Sequence, residues 1–201
     1  MKKLLVGLVV LLNAGVQAYG TGNSSYPMSP GKRFISTEFT GIASDNGGMG
    51  VQVRYTHKFN SLLTFDTGLG VSGGDRNQRF FVGADYELYP DYLNQPRISL
   101  KSSISRAEEF EKTKTKIQLA PTLSKGFVFW GREAFPYVAI PLGLSLNSDD
   151  STYQSTMSLN VGINGQLPIE GYRHLNGSLE VQAGIQDSFT AFVAGLNFPM
   201  N

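Results

Sequence analysis

From Arg33 onward, apolar and polar residues alternate with a period of two, stretch after stretch, nearly to the end of the chain. In residues 49–59, Val51, Val53, Tyr55, His57 and Phe59 share one face, and Gln52, Arg54, Thr56 and Lys58 share the other. Residues 62–71 set Leu63, Phe65, Leu69 and Val71 against Thr64, Asp66, Gly68 and Gly70. Residues 80–89 set Phe80, Val82, Ala84, Tyr86 and Leu88 against Gly83, Asp85 and Glu87. Successive side chains of a strand point to opposite sides, so this period specifies strands and excludes amphipathic helices. The pattern recurs in residues 98–104, 117–123, 138–146, 153–163, 175–185 and 192–198, and more weakly in Arg33–Ile42. Between these runs lie turn-forming segments, among them Ser44–Gly48, Asn60-Ser61, residues 72–77, residues 90–96 and Asp187-Ser188. The expected fold is all-β, an antiparallel up-and-down barrel of about ten strands, with eight as the alternative. Glycine supports this: 23 of 201 residues is well above the usual ~7% and unfavourable to helix interiors.

Residues 1–18 precede the alternation and have a different character. Lys2 and Lys3 lead an apolar run that ends at Val16-Gln17-Ala18, the pattern of a cleaved export signal rather than of a membrane anchor. Cleavage leaves a mature chain from Tyr19, with residues 19–32, rich in Gly, Ser and Pro, as an extended flexible lead-in and residues 33–201 as the barrel. The whole chain carries a formal charge of +1, so it has no basic excess for nucleic acid. With no cysteine, disulfides, thiolate metal sites and cysteine nucleophiles are excluded.

Either face of an alternating strand can be the wet one, and charge placement decides between them. On the apolar face, Arg33, Arg106, Lys125 and His57 occur only near strand ends. Glu38, Arg54, Lys58, Asp66, Asp85, Glu87, Lys101, Lys116 and Glu180 share the other face with many Gly, Ser and Asn residues. Small residues suit the crowded interior of a narrow barrel better than an open solvent face. The apolar face is therefore expected to meet lipid, which calls for strands of about 9–11 residues. With the N-terminus in the periplasm, Phe59, Tyr86, Tyr89, Phe129, Trp130, Tyr137 and Phe198 fall at one end and make an expected interfacial girdle.

At this level the chain resembles the small outer-membrane β-barrel proteins of Gram-negative bacteria, of the OmpA-like and OmpX-like kind. The resemblance rests on the pattern over residues 33–198 and on the last strand, where Phe192, Ala194, Leu196 and Phe198 are similar to the family's C-terminal assembly signal. In the family the aromatic usually ends the chain; here Pro199-Met200-Asn201 follow it. The resemblance implies an outer-membrane location, outer-membrane lipid and the β-barrel assembly machinery as partners, and a structural or porin-like narrow-channel role. Some OmpA-like proteins carry a peptidoglycan-binding domain after the barrel; with nothing following Asn201, none is expected here. No extracellular partner is specified.

The candidate site is the lumen. Reflecting the strands about their turns brings Glu38 beside Arg54, Arg54 near Asp66, Asp66 beside Asp85, Asp85 beside Lys101 and Lys101 near Lys116, with Glu180 on the far wall. A mixed-charge belt of this kind fills a lumen or constricts a pore, and inward Gly162, Gly184 and Gly195 would leave a crevice beside it. No catalytic set, cofactor or metal site is expected. The histidines, His57 and His174, lack a neighbouring Ser, and the pairs Glu108-Glu109 and Asp149-Asp150 sit in loops. Two other functions are carried forward: an outer-membrane lipid-modifying enzyme, and a soluble periplasmic barrel binding an apolar ligand.

Overall fold

A computed structural model of the chain describes residues 20–44, 48–72, 76–109, 112–129, 131–149, 151–169, 171–172 and 175–200. The export signal, Trp130, Asp150 and His174 lie outside the described residues. Among the described residues, one 3-10 turn, Gly22–Ser25, precedes twelve strands: β1 (Arg33–Ile42), β2 (Gly48–Lys58), β3 (Leu63–Ser72), β4 (Arg76–Tyr89), β5 (Arg97–Glu109), β6 (Lys112–Ser124), β7 (Phe127–Phe129), β8 (Arg132–Ala139), β9 (Leu142–Asn147), β10 (Thr152–Gln166), β11 (Asn176–Gln186) and β12 (Ala191–Met200).

These strands build a closed antiparallel barrel of ten staves. β8 and β9 are halves of one stave, since both pair with β6 on one side and β10 on the other. The break falls at Ile140-Pro141, where proline has no N–H to give the ladder. Neighbouring staves still bridge it: Ile140 N–H donates to Pro121 O and Ser158 N–H donates to Pro141 O, each at 3.1 Å. β7 is a short arm paired with the start of β8. Neither the break nor the arm is signalled by the alternation. β12 closes the barrel by pairing with β1 from Arg33↔Met200 to Ile42↔Ala191. Among the described residues, closure leaves the ten staves without an open edge, and only the β7 arm keeps one.

The ladder also fixes the tilt. Followed from Glu38 one way round, it reaches Phe135; the other way, it reaches Asn147. The register thus climbs twelve residues per circuit. For ten staves ~4.8 Å apart with a rise of ~3.3 Å per residue, this requires a tilt of roughly 40°. Ladder partners therefore stand at different depths, and side chains at equal depth meet diagonally.

The facing is as the alternation predicts. Outward side chains are apolar and uncovered: Leu69, Val71, Leu179 and Val181 are each about 60% exposed, and Val53, Ile104, Ile117, Leu144 and Val161 about half. Inward side chains are polar and covered, including Ser36, Glu38, Arg54, Thr56, Ser99, Ser158, Asn160 and Asn164. This inverts the arrangement of a water-soluble barrel, and a lumen built for an apolar ligand is not what the chain forms.

Candidate functional site: a charged lumen closed by the N-terminal segment

The tilt selects which charges pair. Arg54 on β2 donates from Nε to Glu38 Oε1 at 2.7 Å and from Nη1 to Asp66 Oδ2 at 2.5 Å. Lys101 on β5 reaches the same Asp66 oxygen at 2.5 Å. Gln52 donates to the other Glu38 oxygen. A second network lies nearer the end where the barrel's first and last strands begin and finish. There Arg97 donates to Asp85 Oδ2 at 2.7 Å and to Glu87 Oε2 at 2.6 Å, with Lys58 at 3.9 Å from Glu87. Nearly all these groups are buried. An ion removed from water costs several kcal/mol unless partners replace the water, and here each network supplies carboxylates and cations together.

Five residues of the sequence-derived belt come together at one depth: Glu38, Arg54, Asp66, Lys101 and Glu180. Two do not behave as expected. Asp85 belongs to the second network, with Arg97 rather than Lys101 as its bonded cation. Lys116 faces the lumen but stands four residues from Ala120, which lines the belt beside Lys101. That places it roughly 10 Å nearer the far mouth.

The N-terminal segment completes the site, contrary to the extended lead-in expected from its composition. Residues 20–28 enter the lumen, and Thr21, Ser24, Ser25 and Met28 are buried there. Wall side chains bond its backbone: Arg54 donates to Gly20 O at 3.1 Å, Lys101 to Thr21 O at 2.7 Å, Asn164 to Gly22 O at 3.2 Å, and Arg97 to Ser24 O. In return Thr21 N–H donates to Glu180 Oε2 at 2.7 Å. Asn160 links Glu180 at 2.7 Å to Thr21 Oγ1 at 3.2 Å. Nearer the mouth, the Tyr26 ring packs edge-on against Phe34 at 5.8 Å and Phe135 at 5.5 Å. Gly22 makes the entry possible. Its φ is +73°, and a Cβ there would lie 2.5 Å from Arg54 Nη1.

Beside Gly20 and Thr21 lies a cavity of about 30 Å³, lined also by Arg79, Phe81, Ser103 and Gln118 among others. That is room for about two waters. Phe81 forms part of its wall between two guanidinium groups, Arg54 at 4.7 Å and Arg79 at 4.6 Å from the ring centroid.

The expected crevice along the inward glycines is filled. Tyr137 occupies the place opened by Gly162, where a Cβ would lie 2.5 Å from its ring and hydroxyl. Ser178 and Glu38 crowd Gly195, and the Ser188 backbone covers Gly184. Tyr137 is thus corrected from girdle to lumen: it is 3% exposed and its hydroxyl donates to Glu180. A signal for this was present, because Tyr137 has the opposite parity to outward Val138. The other described girdle residues, Phe59, Tyr86, Tyr89, Phe129 and Phe198, are 40–62% exposed. Beside them, His57 packs 6.4 Å from both Tyr55 and Phe59.

Arg79, Phe81, Arg97 and the N-terminal segment escaped sequence reasoning. Arg97 carries the parity of Ser99 and Lys101, so extending that strand by one residue would have found it. The segment has no periodicity to find. Compared with known proteins, the chain matches no protein-family model and no curated protein sequence.

Proposed function

We propose that this chain is an integral outer-membrane β-barrel protein of a Gram-negative bacterium, with a structural or narrow-channel role and a lumen closed at rest. The observation that carries this reading is the inversion of facing. A closed wall of ten tilted staves turns Leu, Val, Ile and Phe outward and encloses ion pairs and amides. In water, uncovered apolar surface on this scale promotes aggregation; in hydrocarbon it is the face that belongs there, and the closed ladder satisfies the backbone groups that lipid cannot. The exposed aromatics at the end shared by Phe59, Tyr89 and Phe198 support an interfacial level on the periplasmic side. Outer-membrane lipid is then the permanent partner, and the β-barrel assembly machinery the partner during biogenesis, as in the OmpA-like and OmpX-like proteins that the chain resembles in architecture.

Cell fractionation tests this directly. Recovery with outer membranes, together with gel migration that changes on heating, is the expected result. Release as a soluble periplasmic protein would overturn it.

A further inference from the structure

We infer that the lumen is a binding site for peptide backbone, that residues 20–28 are its removable occupant, and that withdrawal of this segment opens the barrel to short Gly- and Ser-rich peptides. This rests on the membrane-barrel reading above.

The wall does not need the segment. β1 begins at Arg33, and the ladder closes through β12 and β1 without any residue before it. Among the described residues, no backbone-to-backbone hydrogen bond joins residues 20–28 to a stave. The segment is held by side chains from β2, β5, β10 and β11, and those contacts have the chemistry of peptide recognition. Arg54, Arg97, Lys101 and Asn164 offer donors to four carbonyl oxygens, while Glu180 accepts one N–H.

The donors are also pre-set. Arg54 is fixed by Glu38 and Asp66, Arg97 by Asp85 and Glu87, and Lys101 by Asp66, all of which belong to the wall. Removing the segment leaves these ion pairs in place and the remaining donors aimed at the lumen axis. A bound chain then loses little to reorganisation of the site. Specificity follows from the space available. A Cβ at the position of Gly22 would strike Arg54, and Thr21, Ser24 and Ser25 fill their places with small side chains. The site accepts a short peptide with glycine at that position.

The test uses three measurements in planar bilayers. The full chain should be closed apart from brief openings, and a variant lacking residues 20–28 should carry steady current. A synthetic peptide of residues 20–28, added to that variant, should block the current; the same peptide with Gly22→Ala should need at least tenfold more. A deletion variant that assembles with heat-modifiable migration yet stays closed would overturn the inference, as would equal block by the two peptides. Should the deletion variant fail to assemble, the full chain with Ser25→Cys and Asn164→Cys, its disulfide verified by mass, decides, because Ser25 Oγ and Asn164 Nδ2 lie 2.6 Å apart and the sequence contains no cysteine of its own. Oxidation should abolish its openings and reduction restore them; openings indifferent to oxidation would overturn the inference. Failure of the chain to incorporate into bilayers at all defeats the membrane reading instead, so the two failures are distinct.

Discussion

Lys101 stands directly across the ladder from Asp85, yet the Asp85 carboxylate takes its hydrogen bond at 2.7 Å from Arg97. Lys101 instead crosses over Gly83 to reach Asp66, two staves away. The tilt explains both contacts. Ladder rows climb around the barrel, so on the β4 and β3 side the groups at the depth of Lys101 lie nearer the far mouth than its ladder partners do. Asp66 is at that depth. The absent side chain at Gly83 keeps the route open.

The two cations should therefore differ on removal. Arg97→Ala leaves buried Asp85 without its bonded cation and half-buried Glu87 with only Lys58, at 3.9 Å, to offset it, and breaking a buried pair in this way costs about 3–5 kcal/mol. Lys101→Ala gives up its bonds to Asp66 and to Thr21 O but leaves Asp66 paired with Arg54, for which roughly 1–3 kcal/mol is expected. Urea unfolding in lipid vesicles ranks the two. The reverse order would dismantle the assignment of the networks.

The outer face makes a separate claim. Val161 lies at mid-depth on β10, half-exposed and pointing outward. Val161→Arg should cost about 2–4 kcal/mol in a bilayer. Gln118→Glu, inside the lumen near Arg79 and Lys101, adds a charge among cations and should fold as the unaltered chain does. Equal folding yields of these two variants in vesicles would mean that the faces are assigned wrongly.

How far the alternation reaches can be judged from individual residues. Arg33–Ile42 has the same bounds in sequence and structure, and Glu38, Arg54 and Asp66 meet as the strand reflections predict, because parity and turn position determine both. The shear is a property of closure and appears in no single hairpin. Without it, Asp85 is matched with Lys101 and Lys116 is set at the wrong depth. Tyr137 reads as a girdle residue by its aromatic character, whereas its parity, opposite to that of outward Val138, sets it inward. The placement of residues 20–28 depends on carbonyl groups, which every sequence has, meeting side chains from four strands distant in the chain.

Outside the barrel wall, the turn between β4 and β5 offers a pH test. Asp91 accepts bonds from Lys125 and, at 2.7 Å, from Gly126 N–H. Slight burial raises the carboxyl pKa, but Lys125 and the amide outweigh it and hold the group below its ordinary value. A depressed carboxylate pKa contributes stability that is present above the unfolded value, ~3.9, and lost as pH falls through the folded one. Protection of the Gly126 amide from hydrogen exchange should therefore be flat from neutral pH down to about 4 and decline only below that. Asp91→Asn should remove the decline. A fall in protection already near pH 6 would show that another group controls the turn.

Gly162 and Tyr137 should behave as a coupled pair. Gly162→Ala drives a methyl into the tyrosine ring, an overpacking worth about 1–3 kcal/mol. With Tyr137→Leu in the same chain the methyl is relieved of the ring, though still 2.7 Å from Leu179 O, so the double variant should be more stable than the sum of the two single changes allows. Strict additivity in vesicle unfolding would mean that Tyr137 does not fill the glycine's place.

The final prediction separates two effects that glycine combines. Gly22 and Gly31 both hold positive φ, +73° and +82°, a region where a side chain costs roughly 1–2 kcal/mol. Around Gly31 there is nothing within 4 Å of an added Cβ, whereas at Gly22 Arg54 Nη1 is 2.5 Å away. Gly31→Ala should therefore show the backbone penalty alone. Gly22→Ala adds a collision with the guanidinium that holds Glu38 and Asp66, and either the segment or the ion pairs must move. An additional loss of about 1–3 kcal/mol is expected, together with faster proteolysis of residues 20–28 in the vesicle-inserted protein. Arg54→Lys, with a slimmer head group and no second donor arm for Gly20 O, should recover part of that loss in the Gly22→Ala chain. If Gly22→Ala and Gly31→Ala prove equally mild and leave the segment equally protected, the close approach of Gly22 to Arg54 does not hold the segment in the lumen.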